Sequence, residues 1–414
     1  MMNIVDDLVA ATPLGVRVRV PLRLGGVTTR GVETPAADLD LSASAVNRAW
    51  TAVETLYRTG LHPGMSLVVR HRGQVILDRA IGHRRLDSDD LMTTDTPACL
   101  FSCSKVITAL IIHRLVEQDL LQLDDTVAHY IPEFARNGKQ DVTIRSLLTH
   151  RAGIAKLPPH IADADSLFDS DAVLQALYDA PLSNANRQGY HATTAGYVLG
   201  EVAHRASGRD LHDLLRTELT DPLGTPNVTY GVPLDRRDQV ALSYSTGPKR
   251  LPLISPLLTR LLGGSPEDIA PAMNTPRGMS AVVPAAGAYA SAHDAASIFA
   301  MLANGGTWNG RKILDRDTID RATTAAGPLV IDDSFPAPIR FSPGFMLGER
   351  YASLFGLGTP DAFGHLGFTN IVCWADPSRE LSAAFVNTGK AASPESFVGM
   401  AAVTAAISAA VPVR

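Results

Sequence analysis

Residues 105–118 carry Val106, Ile107, Leu110, Ile111, Ile112, Leu115 and Val116, and the stretch is apolar nearly all round for its first three turns. A helix of that kind has no face to offer to water, so it must run through the middle of a folded unit with other elements packed around it. The chain has the material for this, with 414 residues of which 45% are apolar. That length predicts two or three domain-sized units. The apolar fraction excludes a disordered chain. No uncharged apolar run reaches the roughly 18 residues that a spanning helix needs.

The rest of the chain is organised around this helix. Residues 1–42 read as an extension, with Val16, Val18 and Val20 alternating with Arg17 and Arg19 as in an edge strand that Pro21 cuts short. Val46, Trp50, Val53 and Tyr57 step by four, three and four, which predicts a helix closed by Gly60. Residues 66–70 and 74–79 are β-rich runs around His71-Arg72-Gly73, a hairpin pattern. Helical patterns follow at 143–149, 171–179, 193–206 and 209–219, then at 292–304, and a closing helix at 396–410. Strands are expected at 369–375 and 381–387. Residues 225–285 have weak periodicity. They read either as an irregular segment packed on the core or as a cap over the site, its leucine-rich part at 251–262 touching an acyl group. Strands at both chain ends with helices between predict one sheet built from 43–98 and 287–414 and a mainly helical lobe over 99–286. A cleft between the lobes is where a site is expected.

Charge and cysteine content narrow the function. With 37 basic and 42 acidic residues the net charge is −5, which argues against nucleic acid as a partner. Cys99, Cys103 and Cys373 are too few for a disulfide framework, so a reducing, cytoplasmic setting is expected. Asp6 and Asp7, with no basic residue before the short apolar stretch, do not make a secretory signal. There is no His-Glu-x-x-His, Cys-x-x-Cys, Walker loop, Gly-x-Gly-x-x-Gly or Gly-x-Ser-x-Gly in the chain. No cofactor and no metal is expected.

What stands at the head of the buried helix is Phe101-Ser102-Cys103-Ser104-Lys105. On a helix Ser102 and Lys105 lie about 60° apart on one face, so the amine reaches the hydroxyl. Serine is a poor nucleophile until a base takes its proton, and an amine is such a base when burial lowers its pKa. The helix N-terminus adds N–H groups that favour an oxyanion beside Ser102. The plainer reading makes Ser102 or Ser104 a cap and Lys105 a solvated first-turn residue. Lysine is scarce, six against thirty-one arginines, and no other lysine has a serine three residues before it. Cys103 points about 100° away around the helix and reads as packing.

From Ser102 onward the chain resembles the serine β-lactamase and penicillin-binding-protein superfamily. The resemblance is carried by Leu123-Asp124-Asp125, Tyr130-Ile131-Pro132, Leu147-Leu148-Thr149-His150-Arg151-Ala152-Gly153, Tyr190 with Gly196-Tyr197-Val198-Leu199-Gly200, Pro222-Leu223-Gly224, and Gly364-His365-Leu366-Gly367-Phe368. It covers about 45 to 410 in the right order, and it is closest to the class C-like branch and the family VIII carboxylesterases. It implies an α+β, two-lobe fold: an antiparallel sheet with flanking helices plus a helical lobe. It implies Ser102 as nucleophile, Lys105 as its partner and Tyr190 as the tyrosine of a Tyr-x-Asn motif, its phenol made acidic by the nearby ammonium. His365, Gly367 and Phe368 fall on the substrate-binding strand. Gly367 allows close approach, the Phe368 and Ser102 N–H groups form an oxyanion hole, and His365 either touches substrate or holds the strand. His150 reads as a buried, hydrogen-bonded histidine. Two positions depart from the pattern: Ala192 replaces the Asn, and His365-Leu366-Gly367 replaces Lys-Thr-Gly. Both losses disfavour β-lactams, so a small-molecule carboxylic ester is the expected substrate. The other readings are an acyltransferase using the same acyl-enzyme, a β-lactamase or D-amino-acid peptidase, and an inactive binding protein on the same fold.

Overall fold

Strands from both ends of the chain meet in one seven-stranded antiparallel sheet. The computed structural model describes residues 9–12, 15–161, 163–248, 259, 265–335 and 337–413. The first part of the chain forms β1 (Val9–Thr12), β2 (Gly15–Val18), β3 (Thr28–Arg30), α1 (Ala43–Tyr57), β4 (Gly64–His71), β5 (Gln74–Gly82), β6 (Ala98–Cys99) and α2 (Ser104–Glu117). The middle forms α3 (Ile144–Leu148), α4 (Ser170–Asp179), α5 (Thr194–Ser207), α6 (Leu211–Leu215), β7 (Thr229–Tyr230) and α7 (Pro266–Met273). The last part forms β8 (Ala288–Ala290), α8 (Ala292–Ala303), β9 (Met346–Leu347), β10 (Phe363–Gly367), β11 (Ile371–Asp376), β12 (Leu381–Asn387) and α9 (Pro394–Ala410).

The sheet order is β9-β10-β11-β12-β4-β5-β3, so β12 from the C-terminal part pairs directly with β4 from the N-terminal part. The β4–β5 hairpin turns through Arg72 and Gly73, both at positive φ (51° and 75°), the conformation that matches strand twist in a two-residue turn. Successive side chains on a strand point to opposite faces. On β12, Leu381, Ala383 and Phe385 join Trp50, Val53, Met400 and Val403 of α1 and α9 in one core. Ala384 and Val386 face the other way, into the core that holds α2, α5 and α8. The sheet thus separates two helical layers.

Helix α2 runs through the second core, with Val106, Ile107, Leu110, Ile111, Ile112 and Leu115 all buried. Truncating Ile111, which has no exposed surface, to alanine would cost about 2–5 kcal/mol. Thr143 caps α3 in a reciprocal arrangement with Ser146. The pattern at 209–219 is only partly α-helical: α6 stops at Leu215 and the chain goes on as a π turn, Arg216–Thr220, ahead of Pro222. Proline supplies no N–H and crowds the preceding turn, which a wider turn accommodates.

The N-terminal residues differ from expectation. β2 pairs with β1 in a separate hairpin, and Val16 bridges to Gly247. The true sheet edge is β3, from within residues 1–42, paired to β5. Three residues carry too little alternation to be read as a strand. Within 225–285, β7, α7 and a short helix (Pro276–Ser280) are ordered elements. The leucine-rich part 251–262, with Leu257, Leu258, Leu261 and Leu262, lies outside the described residues apart from Thr259. Among the described residues no helix is long and apolar enough to cross a membrane.

Candidate active site

Ser102 sits where a strand turns into the buried helix. β6 pairs with β8, Leu100 N–H donates to the Ala288 carbonyl (2.8 Å), and Phe101 then takes a left-handed φ of 47°. For a residue with a Cβ that conformation costs about 1–2 kcal/mol, and such strain concentrates at functional sites. Residues 101–103 form a 3₁₀ turn before α2 begins. In a 3₁₀ turn side chains three apart eclipse, which brings Lys105 over Ser102 more closely than an α-helix would. Lys105 Nζ is 3.1 Å from Ser102 Oγ.

The same Nζ donates to the carbonyls of Ala192 (2.6 Å) and Ala285 (3.1 Å). Both carbonyls come from segments held close by α5, where a Cβ on Gly196 would lie 2.6 Å from Ala285. Burial pulls the Lys105 pKa down to about 7, against a smaller upward pull from Cys103. A neutral amine has two N–H groups and one lone pair. With both N–H groups taken by carbonyls, the lone pair is left for the Ser102 hydroxyl.

Tyr190 is buried beside them. Its side chain lines the same cleft as Ser102, and Lys105 Nζ lies over its ring, 5.0 Å from the centroid. Here the sequence expectation reverses. The ammonium faces the ring and not the phenol oxygen, and burial raises the Tyr190 pKa well above the ordinary value. Tyr190 therefore keeps its proton at neutral pH, while Lys105 gives its own up readily.

The strand-borne residues come to the same place. Gly367 passes so near Leu100 that a Cβ would meet its carbonyl at 2.5 Å. The Phe368 ring packs on Phe101 at 5.4 Å, and Phe368 and Ser102 line one cleft. Cys103 Sγ turns away from the cleft toward the His365 carbonyl (3.1 Å), tying the head of α2 to β10. His150 Nδ1 accepts from the His191 N–H (3.2 Å), and its ring packs on Phe341 and Tyr190. This is a buried histidine with a satisfied partner, as expected.

His365 departs from a substrate contact. Its side chain is 1% exposed, and on β10 it is Leu366, the next residue, that lines the cleft. His365 Nδ1 is 2.8 Å from the Leu366 carbonyl, and since a carbonyl only accepts, Nδ1 carries the proton. Burial and then Lys105 pull its pKa down to about 3, so the ring is neutral. Nε2 is a buried acceptor without a hydrogen-bond partner among the described residues, and the His365 and Tyr190 ring centroids are 6.1 Å apart. A neutral ring there cannot replace the cation of Lys-Thr-Gly.

The cleft wall is Ser102, Tyr190, Phe335, Ile339, Met346, Leu366, Gly367, Phe368, Thr369 and Phe397, with no charged side chain among them. Phe335, Ile339, Met346 and Phe397 carried no sequence signal, because each is an ordinary apolar residue on a loop, short strand or helix. Asp332 was missed as well. It is 1% exposed, and its Oδ1 accepts from the N–H groups of Tyr190, Ser334 and Phe335, each at 2.9 Å. One carboxylate thereby fixes Tyr190 and the Phe335 side of the cleft. A single Asp 142 residues from the tyrosine it holds has no local pattern to betray it.

Comparison with known proteins identifies the family. The family model described as Beta-lactamase matches residues 52–405. The esterase/beta-lactamase LipL of Mycobacterium tuberculosis is 28% identical over 336 residues, 78% of this chain and 76% of that protein. A penicillin-binding protein homologue from Caulobacter crescentus superposes with a TM-score of 0.76 at 27% identity, covering 92% of this chain and 99% of the other. A family VIII carboxylesterase superposes with a TM-score of 0.75 at 26% identity, covering 91% and 99%.

Proposed function

This chain belongs to the β-lactamase family, and we propose that it uses that fold as a serine hydrolase of carboxylic esters, working through an acyl-enzyme on Ser102. The observation that carries the reading is the setting of Lys105: an amine whose pKa burial draws down to about 7, with two carbonyls on its N–H groups and Ser102 Oγ at 3.1 Å. In this reading Lys105 takes the Ser102 proton as Oγ attacks the ester carbonyl. The Ser102 and Phe368 N–H groups hold the oxyanion that forms. The Lys105 ammonium, hydrogen-bonded beside Ser102 Oγ, returns that proton to the departing alkoxide, and Tyr190, kept protonated by burial, hydrogen-bonds to the alkoxide as it leaves. Water then attacks the acyl-enzyme and loses its proton to Lys105; the bond from the acyl carbon to Ser102 Oγ breaks, Lys105 returns the proton to Oγ, and the acid leaves.

An ester fits better than a β-lactam for a physical reason. The drug brings an amide and a carboxylate that need polar anchors, and a buried polar group without its partner costs about 1–3 kcal/mol. Here Ala192 offers Lys105 its main-chain carbonyl but no side-chain amide, His365 is neutral, and the cleft wall is apolar. An ester presents one carbonyl and two apolar halves. LipL, which its name describes as both esterase and β-lactamase, and the family VIII carboxylesterase support the ester side of the reading. The test is a panel of p-nitrophenyl esters with nitrocefin beside it. Butyrate should be turned over at least about tenfold faster than nitrocefin, by the free-energy difference above. Equal rates would contradict the reading.

A further inference from the structure

Lys390 is a buried cation that the mechanism above leaves unused. It is 4% exposed, at the end of the turn that follows β12. Its Nζ donates to the Asn387 carbonyl (2.6 Å) and reaches Asn387 Oδ1 at 3.4 Å. Among the described residues it has no carboxylate partner; the titratable groups that face it are His62, Cys99 and Cys103. Burying an ammonium without a counter-ion is costly, and a hydrophobic side chain of the same length would fill the space more cheaply.

Its contacts lead to both sides of the proposed oxyanion hole. Nζ lies over the Phe101 ring, 4.9 Å from the centroid, and the same ring packs on Phe368, with centroids 5.4 Å apart. Phe101, in its left-handed conformation, immediately precedes Ser102. The second route passes through Asn387, whose Nδ2 donates to the Asn370 carbonyl (2.8 Å), two residues beyond Phe368. Asn370 is held in turn by Ser396, and Ser396 Oγ lies 3.2 Å from His62 Nε2. The network is enclosed: Asn370, Ser396 and His62 have no exposed surface.

We propose that Lys390 is a positioning residue for the oxyanion hole, its ammonium holding the Ser102 N–H through Phe101 and the Phe368 N–H through the Phe101–Phe368 ring pair and the Asn387–Asn370 link. The proposal rests on the reading of Ser102 as nucleophile given above. The positive charge matters to both routes, since an aromatic face and a carbonyl oxygen each bind a cation more strongly than a neutral group. Burial draws the Lys390 pKa down to about 7, with Cys99 and Cys103 pulling the other way, so the clamp loosens on the alkaline side of neutrality.

The experiment compares Lys390→Met with the wild-type protein on p-nitrophenyl butyrate and on phenylboronic acid, which forms a tetrahedral adduct with a catalytic serine. A loosened oxyanion hole should lower kcat about ten- to a hundredfold, somewhat less than outright removal of a donor. KM should stay within about twofold, phenylboronic acid should bind more weakly by a factor similar to the kcat loss, and the alkaline limb of the pH profile should disappear. Tm should be unchanged or higher, because a buried unpaired charge has gone. Should Lys390→Met not fold, Asn387→Ala cuts the second route and carries the same expectations for kcat and the boronate. Catalysis and boronate binding within twofold of wild type in the folded variant would overturn the proposal. So would a lowered Tm with an unaltered pH profile, which is the mark of a merely structural residue. A wild-type protein that neither hydrolyses the ester nor binds the boronate would overturn the Ser102 reading and this proposal with it; one that does both, unaffected by the substitution, overturns only this proposal.

Discussion

Lys105 Nζ lies 3.1 Å from Ser102 Oγ, and its other two hydrogen-bonding directions end on the carbonyls of Ala192 and Ala285. Either protonation state of the amine is satisfied by this setting. The ammonium donates three times, and the free amine donates twice and accepts once. A base that can lose and regain a proton without moving is what both half-reactions of an acyl-enzyme require.

The first prediction concerns pH and rate. Lys105 must be neutral to accept a proton, and burial places its pKa at about 7. The kcat/KM for a non-ionising ester should therefore rise with pH along an acid limb centred near 7. Lys105→Arg, which stays charged, should lose about 10³-fold or more in kcat. An acid limb centred near 4, or a Lys105→Arg variant of ordinary activity, would remove the lysine as base.

The second concerns pH and stability. Lys105 and Lys390, ordinarily near 10.5, are both drawn down to about 7 in the fold. Between those values the unfolded chain binds protons that the folded chain does not, so stability rises as pH rises from about 7 toward 10.5. Replacing Lys105 with Met should raise the urea midpoint at pH 7, and the advantage should shrink as pH approaches 10.5. The buried histidines act in the same sense at lower pH. His62 and His365 are drawn down to about 3, and His113 and His191 to about 4. Below 6.5 the unfolded chain protonates them first, so stability falls as pH drops from 6.5 toward 4. Urea melts across this range that stay flat would contradict the assignment.

The third concerns acyl length. The cleft beside Ser102 has a volume of about 70 Å³. That is room for about five water-sized groups, enough for a short acyl chain. Butyrate should outrun octanoate in kcat/KM. Phe397→Ala, which opens one wall, should raise the octanoate-to-butyrate ratio, each further methylene buried being worth about 0.8 kcal/mol. An unchanged ratio in a folded variant would move the acyl group out of this cleft.

Several of these features were legible in the sequence, and the reasons are specific. Helix α2 was readable because an all-round apolar run has one stable placement, and β12 because its residues suit a strand buried on both faces. The Ser102–Lys105 pair was readable because the contact is local. β3 was not, since three residues carry no period and take their conformation from β5. Asp332 was not, because it acts on main-chain N–H groups whose donors no side-chain pattern marks. The raised pKa of Tyr190 is the reverse of what a neighbouring ammonium implies. A neighbouring ammonium was foreseeable, but its position over the ring and the depth of burial are properties of packing. Lys390 stood out only as one of six lysines; its contacts with Phe101 and Asn387 belong to the folded chain.

Intact-protein mass spectrometry tests the acyl-enzyme on Ser102 directly. The protein is mixed with p-nitrophenyl butyrate, quenched in acid within the first turnovers, weighed and then digested. One added butyryl group is expected, on the peptide that contains Ser102, and none on the Ser102→Ala protein, whose ester turnover should fall by about 10³-fold or more. Continued turnover by Ser102→Ala, or a butyryl group on a different residue of an active protein, would contradict the acyl-enzyme on Ser102.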